Sequence, residues 1–238
     1  METISAVILA GGSGGSFSPI SQYMPKSLAF IGDKPLIHHI LDSLDDVPID
    51  KIYIVLGKFG DMIRRYVLDM RSIHHCIEFV TADERHKIGG CLLSLKSMIT
   101  NTFLVYYGDI LLENFDFNKM LAFHRNMKAQ YDLSGTLAFS RSYPLNVGIV
   151  SFNSEHLLLQ LREKPKDYEF NVNMAISLFE PRLFSYVDDT SDDLFGTVVP
   201  RALGHDERFA VFEHSDRWWH IHTVADLYSL VHHGHGKR

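Results

Sequence analysis

The sequence predicts an α/β fold: a mixed, mostly parallel sheet, helices on both faces, and a small lobe beyond it. Three observations predict it. Apolar, β-branched runs alternate with stretches of helical spacing through the first half of the chain. Those runs, Ala6–Ala10, Lys51–Leu56 and Thr102–Tyr107, show no in–out alternation, so each reads as a strand covered on both faces. The second half then turns to short strands with short connections, which adds antiparallel pairing and a lobe over one edge.

The elements follow in order. Ala6–Ala10 ends in glycines, and apolar residues at 36, 37, 40, 41 and 44 give Leu36–Leu44 a helical face. Lys51–Leu56 is the second buried strand, followed by a helix over Phe59–Met70 and a short strand over Ile77–Val80. Gly89–Met98 returns to helical spacing, Thr102–Tyr107 is stopped by Gly108-Asp109, and Asn118–Lys128 is a fourth helix. Strands are expected over Asp132–Phe139, Gly148–Phe152, Leu157–Glu163, Asn173–Phe179 and Arg208–His214. Helical spacing resumes over Asp192–Leu203 and Val224–Val231, with Thr223 as N-cap and Asp226 at N3 of the last helix. We expect one domain over 1–238, with halves 1–138 and 139–231 and a tail 232–238.

Composition excludes several classes. The net charge is −6 with no basic block, which argues against a nucleic-acid surface. No run of 18 apolar residues marks a membrane span, and the start lacks a signal peptide's basic region. Cys76 and Cys91 form no C-x-x-C pair and lie in apolar patterns, so both are expected as reduced, buried thiols in a cytoplasmic protein. Neither charge nor length fixes an oligomeric state, and a homo-oligomer stays open.

The chemistry-bearing residues cluster at predicted strand ends. Gly11-Gly12-Ser13-Gly14-Gly15-Ser16 follows the first strand, and Pro25-Lys26 lies beyond it. Glycines let backbone N–H groups approach a ligand that a Cβ would exclude, and successive amides form an anion-binding concavity. A glycine pair alone is equally consistent with a tight turn. The loop matches neither the dinucleotide G-x-G-x-x-G pattern nor a Walker loop. Asp109 just past a buried strand suits a magnesium ion beside a phosphate, although Gly-Asp also simply forms turns. Glu163-Lys164-Pro165 ends another strand, where Lys164 would neutralise a phosphate or merely sit in solvent. His220 and His222 would share a face of a short strand; imidazole suits zinc or nickel, but no third ligand is visible nearby.

Taken as an ordered set, these pieces resemble the sugar-1-phosphate nucleotidyltransferases. That family opens on L-A-G-G-x-G-T-R-L-x-P, then P-K, then K-P-x-I. This chain carries Leu9-Ala10-Gly11-Gly12-Ser13-Gly14-Gly15-Ser16-Phe17-Ser18-Pro19, then Pro25-Lys26, then Lys34-Pro35-Leu36-Ile37. The later G-D, E-K-P, N-x-G-x-Y-x-F and W-x-D-I-G-T motifs match Gly108-Asp109, Glu163-Lys164-Pro165, Asn173 to Phe179, and Trp218 to Thr223. The resemblance spans nearly the whole chain. It implies a Rossmann-like fold with a sugar-binding lobe, the first half holding nucleotide and the second closing on the sugar. It implies that a nucleoside triphosphate and a sugar 1-phosphate give nucleotide-sugar and pyrophosphate, with a divalent ion, Mg²⁺ or Mn²⁺, as cofactor. By the same resemblance, Leu9, Ala10, Gly11, Gly12, Ser13 and Gly14 hold the nucleotide, and Gly89 lies near the base. Lys26 contacts the triphosphate. Asp109 binds the metal, with His220 at the second ligand position. Lys164 holds the sugar phosphate, while Gly148, Glu163 and Asn173 line the sugar pocket. The β-helix that some relatives carry after the last helix is expected to be lacking.

Two departures stand out. Ser16 falls where the family has an arginine, with Gly15 for threonine, and serine cannot grip phosphates bidentately. His220 falls on the second metal-binding aspartate and His222 on the following glycine. Three readings follow: an active enzyme with rearranged ligands, a domain that binds nucleotide or sugar phosphate without turnover, and a glycosyltransferase that uses a nucleotide-sugar donor.

Overall fold

The computed structural model describes residues 2–11, 15–70, 74–83, 87–141, 149–162, 170–188 and 190–234. In the first part, β1 (Ile4–Leu9) leads through 3-10 turns to a ribbon of β2 (Phe30–Ile31) and β3 (Lys34–Pro35). Then follow α1 (Leu36–Asp42), β4 (Ile49–Leu56), α2 (Gly60–Asp69), β5 (Cys76–Thr81), α3 (Ile88–Leu93), β6 (Phe103–Tyr107), β7 (Ile110–Leu112) and α4 (Phe117–Tyr131). The second part holds β8 (Gly135–Ser140), β9 (Ile149–Phe152), β10 (Leu158–Arg162), β11 (Val172–Phe179), α5 (Val199–Gly204), β12 (Phe209–Glu213), β13 (Trp218–His220) and α6 (Val224–Ser229).

The central sheet has seven strands in the order β12-β8-β11-β6-β1-β4-β5. β11 runs antiparallel to both neighbours, and the other four ladders are parallel. The expected α/β architecture with a mostly parallel sheet is therefore present. The late strands differ in one respect: β12 was expected to pair antiparallel and instead pairs parallel to β8. The antiparallel β11 returns the chain to the end of the sheet where β8 starts, with Phe179 opposite Gly135, and β12 begins opposite that same residue and so runs parallel to β8.

Alternation explains the burial on both faces. Ile4, Ala6 and Ile8 of β1, with Ile52 and Ile54 of β4, join one core with Ile37, Ile40, Ile63, Val67, Met120 and Leu121 of α1, α2 and α4. Val7, Tyr53, Val55 and Val105 face the other core, with Leu92 of α3 and Val199 and Ala202 of α5. Side chains of successive strand residues point to opposite faces, so a run without polar gaps demands cover on both.

Some sequence expectations shift. Asp132 does not begin a strand; it closes α4 in the left-handed region at φ 50°, its N–H donating to the Lys128 carbonyl. The helix expected over Asp192–Leu203 starts as a wide turn at Leu194–Val198 and becomes α5 only at Val199. Pro200 has no N–H to continue an α-helical ladder backwards, and Asp193 instead accepts from the amides of Phe195 and Gly196 at 3.1 and 2.7 Å. Thr223 and Asp226 form a reciprocal capping box on α6, as their spacing predicts. Cys76 is exposed on the outer strand β5 rather than buried, and Cys91 is half-buried; both are free thiols. Among the described residues no helix is long and apolar enough to cross a membrane.

At the opposite edge of the sheet from the strand tips described below, Glu180 is the centre of a buried polar network. Its carboxylate accepts from Thr102 Oγ1 at 2.7 Å, His124 Nε2 at 3.0 Å and Lys128 Nζ at 2.7 Å. Burial alone would push this carboxyl up, but the His124, Lys128 and Thr102 hydrogen bonds outweigh it and hold the pKa at about 2, against 4.5 for a free glutamate. The folded-state value is depressed, so the stabilisation is complete above pH 4.5 and is lost as pH falls toward 2. A neutral amide at this position keeps one acceptor oxygen but sets an NH2 donor against the donors Lys128, His124 and Thr102. Glu180→Gln is expected to cost about 3 kcal/mol at pH 7, which lowers Tm by roughly 6–12 °C. The deficit should shrink on acidification below pH 4 in urea titrations; a deficit independent of pH would refute the charge assignment.

Candidate functional site

Parallel pairing brings the carboxyl ends of β1, β4, β5 and β6 to one edge of the sheet. β1 has β4 on one side and β6 on the other, so the chain order reverses between β1 and β6. In open α/β sheets a crevice forms at such a switch point, and ligands bind there. Leu9, Ala10 and Gly11 end β1 on one side of this crevice, and Gly108 and Asp109 follow β6 on the other.

Backbone packing brings the two tips together. The Gly108 N–H donates to the Leu9 carbonyl at 3.0 Å, and the Ala10 N–H to the Val55 carbonyl at 3.1 Å. A Cβ on Gly108 would stand 2.7 Å from the Leu9 carbonyl oxygen, and one on Gly57 would stand 2.5 Å from that of Gly11. Neither position tolerates a side chain without moving backbone. Gly57 had no part in the sequence reading; its only signal was a glycine directly after the buried run Lys51–Leu56.

Asp109 is the meeting point of three chain segments. Its Oδ2 accepts from Lys26 Nζ at 3.2 Å and lies 3.3 Å from His220 Nε2. Lys26 opens a short 3-10 turn held by Pro25 in extended geometry, and its ammonium lies 5.8 Å from the ring centre of the buried Phe17. His220 arrives on β13, which pairs antiparallel with β7 so that His220 stands opposite Ile110. The Ile221 N–H then donates to the Asp109 carbonyl at 2.8 Å. Burial would push the Asp109 carboxyl up, but hydrogen bonds and charge from His220 and Lys26 outweigh it and hold it below the ordinary carboxylate range. Asp109 Oδ1 is buried and finds no hydrogen-bond partner among the described residues.

Two further contacts frame the crevice, and neither was legible in the sequence. The Ser16 hydroxyl donates to the His222 carbonyl at 3.0 Å, tying the first loop to the segment after β13. The Tyr107 ring stacks on Phe195 with centroids 5.6 Å apart, and burial pushes its phenol up. Asn173 is exposed at the start of β11, and its Oδ1 accepts from the Ala175 N–H at 3.1 Å. Because β11 is antiparallel to β6 with Ile176 opposite Tyr106, Asn173 sits at the same edge as Asp109. Gly89 is buried at the start of α3; its N–H donates to the Asp192 carbonyl at 2.9 Å, and a Cβ there would lie 2.6 Å from that oxygen. Gly12, Ser13, Gly14, Gly148, Glu163 and Lys164 lie outside the described residues.

Magnesium takes one or two carboxylates and completes its shell with phosphate oxygens and water. Asp109 fits that demand: it is ionised, at a strand tip, and has one oxygen without a hydrogen bond. Among the described residues no group of three or more His, Cys, Asp or Glu is arranged to hold a metal by itself.

A doubly wound sheet with a lysine–aspartate pair in its switch-point crevice defines an α/β protein of the kind that takes its ligand at the strand tips. More narrowly, the chain belongs to the nucleotidyl transferase family, whose profile matches residues 5–234. A candidate mannose-1-phosphate guanyltransferase of Sulfolobus acidocaldarius is 28% identical over 94% of this chain and 61% of its own length. A candidate glucose-1-phosphate cytidylyltransferase of Bacillus subtilis is 26% identical over 94% of this chain and 93% of its own length. The bifunctional protein GlmU of Methanocaldococcus jannaschii is 27% identical over 79% of this chain, which spans only 42% of that protein. Among solved structures, a candidate glucose-1-phosphate thymidylyltransferase from Bacillus anthracis superposes with TM-score 0.74 at 19% identity, covering 98% of this chain and 96% of the other. A UDP-glucose pyrophosphorylase with UDP-glucose superposes at 0.70 and 17% identity, covering 94% and 95%. These structural likenesses establish the fold.

The glycine contact makes a testable demand. Gly57→Ala forces the β1 and β4 tips apart and is expected to destabilise the protein by roughly 1–3 kcal/mol, whereas the open Gly204→Ala should not. Chemical denaturation of both variants checks this; equal midpoints would refute the contact.

Proposed function

We propose that the protein transfers a nucleotidyl group from a nucleoside triphosphate to a sugar 1-phosphate, releasing pyrophosphate. The observation that carries this reading is the convergence of Lys26 and Asp109 on the crevice between the β1 and β6 tips. Family membership supports it.

A phosphate oxygen of the sugar 1-phosphate forms a bond to the α-phosphorus of the triphosphate. The bond from that phosphorus to the bridging oxygen breaks, and pyrophosphate leaves with the electron pair. The nucleophile is already an anion, so no general base is required. What the chain must supply is alignment and positive potential for the departing charge.

Lys26 stands ready for that charge. Its side chain is only 14% exposed, and the ammonium rests on Asp109 at 3.2 Å, longer than a tight charge-assisted pair. Polyphosphate in the crevice would draw it off the carboxylate. Amides of the first loop, from Leu9 and Ala10 through Gly11, Gly12, Ser13 and Gly14, would hold the nucleotide, with Gly89 near the base. A divalent cation on Asp109, when bound, neutralises phosphate oxygens. Asn173, with Gly148 and Glu163, would line the sugar pocket, and Lys164 would hold the sugar phosphate. In this reading residues 1–138 form the nucleotide half and 139–231 the closing half.

A second reading has its own observation. Ser16 stands at the resembled arginine position, and its hydroxyl is engaged by the His222 carbonyl at 3.0 Å. A site without that arginine would bind ligands and turn over slowly, acting as a nucleotide or sugar-phosphate sensor.

Pyrophosphate release, measured across nucleoside triphosphates, sugar 1-phosphates and divalent metals, separates the two. The transferase reading expects release that drops about 10²–10³-fold in kcat/KM in Lys26→Ala. Ser16→Arg should raise kcat by roughly tenfold or more. Tight binding with no release under any combination would leave the sensor, and glycosyl transfer without pyrophosphate would overturn both.

A further inference from the structure

We infer that His220 is a metal ligand in the nucleotide-loaded site, and that it turns the site's preference from magnesium toward a first-row transition ion. This rests on the nucleotide reading above. The His220 Nε2 lies 3.3 Å from Asp109 Oδ2, at the long end for a hydrogen bond and well beyond a charge-assisted one. Two ligand atoms on one cation, each about 2.1 Å from it, stand about 3.0–3.4 Å apart in octahedral or tetrahedral geometry. The imidazole and carboxylate are already at the separation of neighbouring ligands.

The rest of the site points the same way. Asp109 Oδ1 is buried without a partner among the described residues, so the carboxylate has acceptor capacity that Lys26 and His220 leave unused. The position of Nε2 does not depend on a flexible loop. β13 pairs with β7, and the Ile221 N–H donates to the Asp109 carbonyl at 2.8 Å, which locks imidazole and carboxylate into one unit. His220 is 39% exposed, so its ring is open to a ligand in the crevice. The His222 ring lies beside it, centroids 5.4 Å apart.

Ligand type then sets the choice of metal. Carboxylate and phosphate oxygens suit magnesium, whereas imidazole suits zinc, copper, iron and nickel and is accepted by the softer end of the divalent series. One imidazole and one carboxylate are too few to retain an ion alone, in agreement with the lack of a three-residue cluster among the described residues. The ion therefore enters with the triphosphate, whose oxygens complete its shell.

Mn²⁺ with α,β-methylene analogues of ATP, GTP, CTP, UTP and dTTP tests this without turnover. Pulsed EPR of the ternary complex should show a directly coordinated nitrogen, replaced by the nitrogen-15 pattern in protein labelled at histidine. The signal should vanish in His220→Ala and His220→Asp, and remain in His222→Ala. His220→Asp should shift the Mn²⁺ to Mg²⁺ affinity ratio toward Mg²⁺ by about tenfold. An analogue that raises Tm in wild type but gives no nitrogen coupling would overturn the ligand assignment and leave the nucleotide reading intact. A coupling lost only in His222→Ala would do the same. If no analogue shifts Tm with any metal, the nucleotide reading fails, and this inference with it.

Discussion

The carboxylate of Asp109 is where the molecule's distant segments meet. Lys26 comes from the first loop, Asp109 from the end of β6, and His220 from β13 near the end of the chain. A carboxylate this enclosed stays ionised only because two donors are directed at it. The Lys26 ammonium and the His220 imidazole in turn converge on that carboxylate. Each of the three is held by its own element, so the charge cluster reports directly on whether the fold has closed.

Closure depends on backbone, not on side chains. The β1 and β6 tips meet through the Gly108 N–H and the Leu9 carbonyl, and the β1 and β4 tips through Gly11 and Gly57. At those contacts a single methyl group would stand closer to a carbonyl oxygen than any real Cβ does. The glycines therefore have two separate tasks. Some let strand tips approach one another, and that approach sets the width of the crevice in which Lys26 and Asp109 face each other. In the proposed function, presentation of amides to a ligand is the second task, assigned to the glycine-rich sequence that follows Gly11.

Much of this was legible in the sequence because it is written in local patterns. The buried runs ending at Leu9, Leu56 and Tyr107 announced central strands, since a strand with no polar face must be covered twice. Asp109 was legible because a carboxylate directly after such a strand lands at the ligand edge. The pairing of His220 with Asp109 was visible only through motif order; nothing local to Trp218–Thr223 says that β13 will lie on β7. What stayed illegible was non-local. Ser16 gives no sign that its hydroxyl will reach His222, 206 residues away. Gly89 reads as a ligand position from motif order, and only packing shows that its missing side chain also makes room for Asp192. The break in the helix before Pro200 was legible in principle, but helical spacing on either side masked it. Cys76 lies in an apolar pattern, yet it falls on the outermost strand, and strand order is not a local property.

The charge arithmetic of the crevice explains why replacing a carboxylate by an imidazole matters more than the change of one residue suggests. With two carboxylates and one lysine, an empty site would carry surplus negative charge, and a hard dication would enter on electrostatic grounds alone. With Asp109, Lys26 and His220, the carboxylate is already balanced by Lys26, and no net attraction remains for a free ion. In the proposed function the triphosphate restores the deficit, bringing its own negative charge and drawing Lys26 away. In that reading cation binding is conditional on nucleotide, and the ion is seated between Asp109 Oδ2 and His220 Nε2.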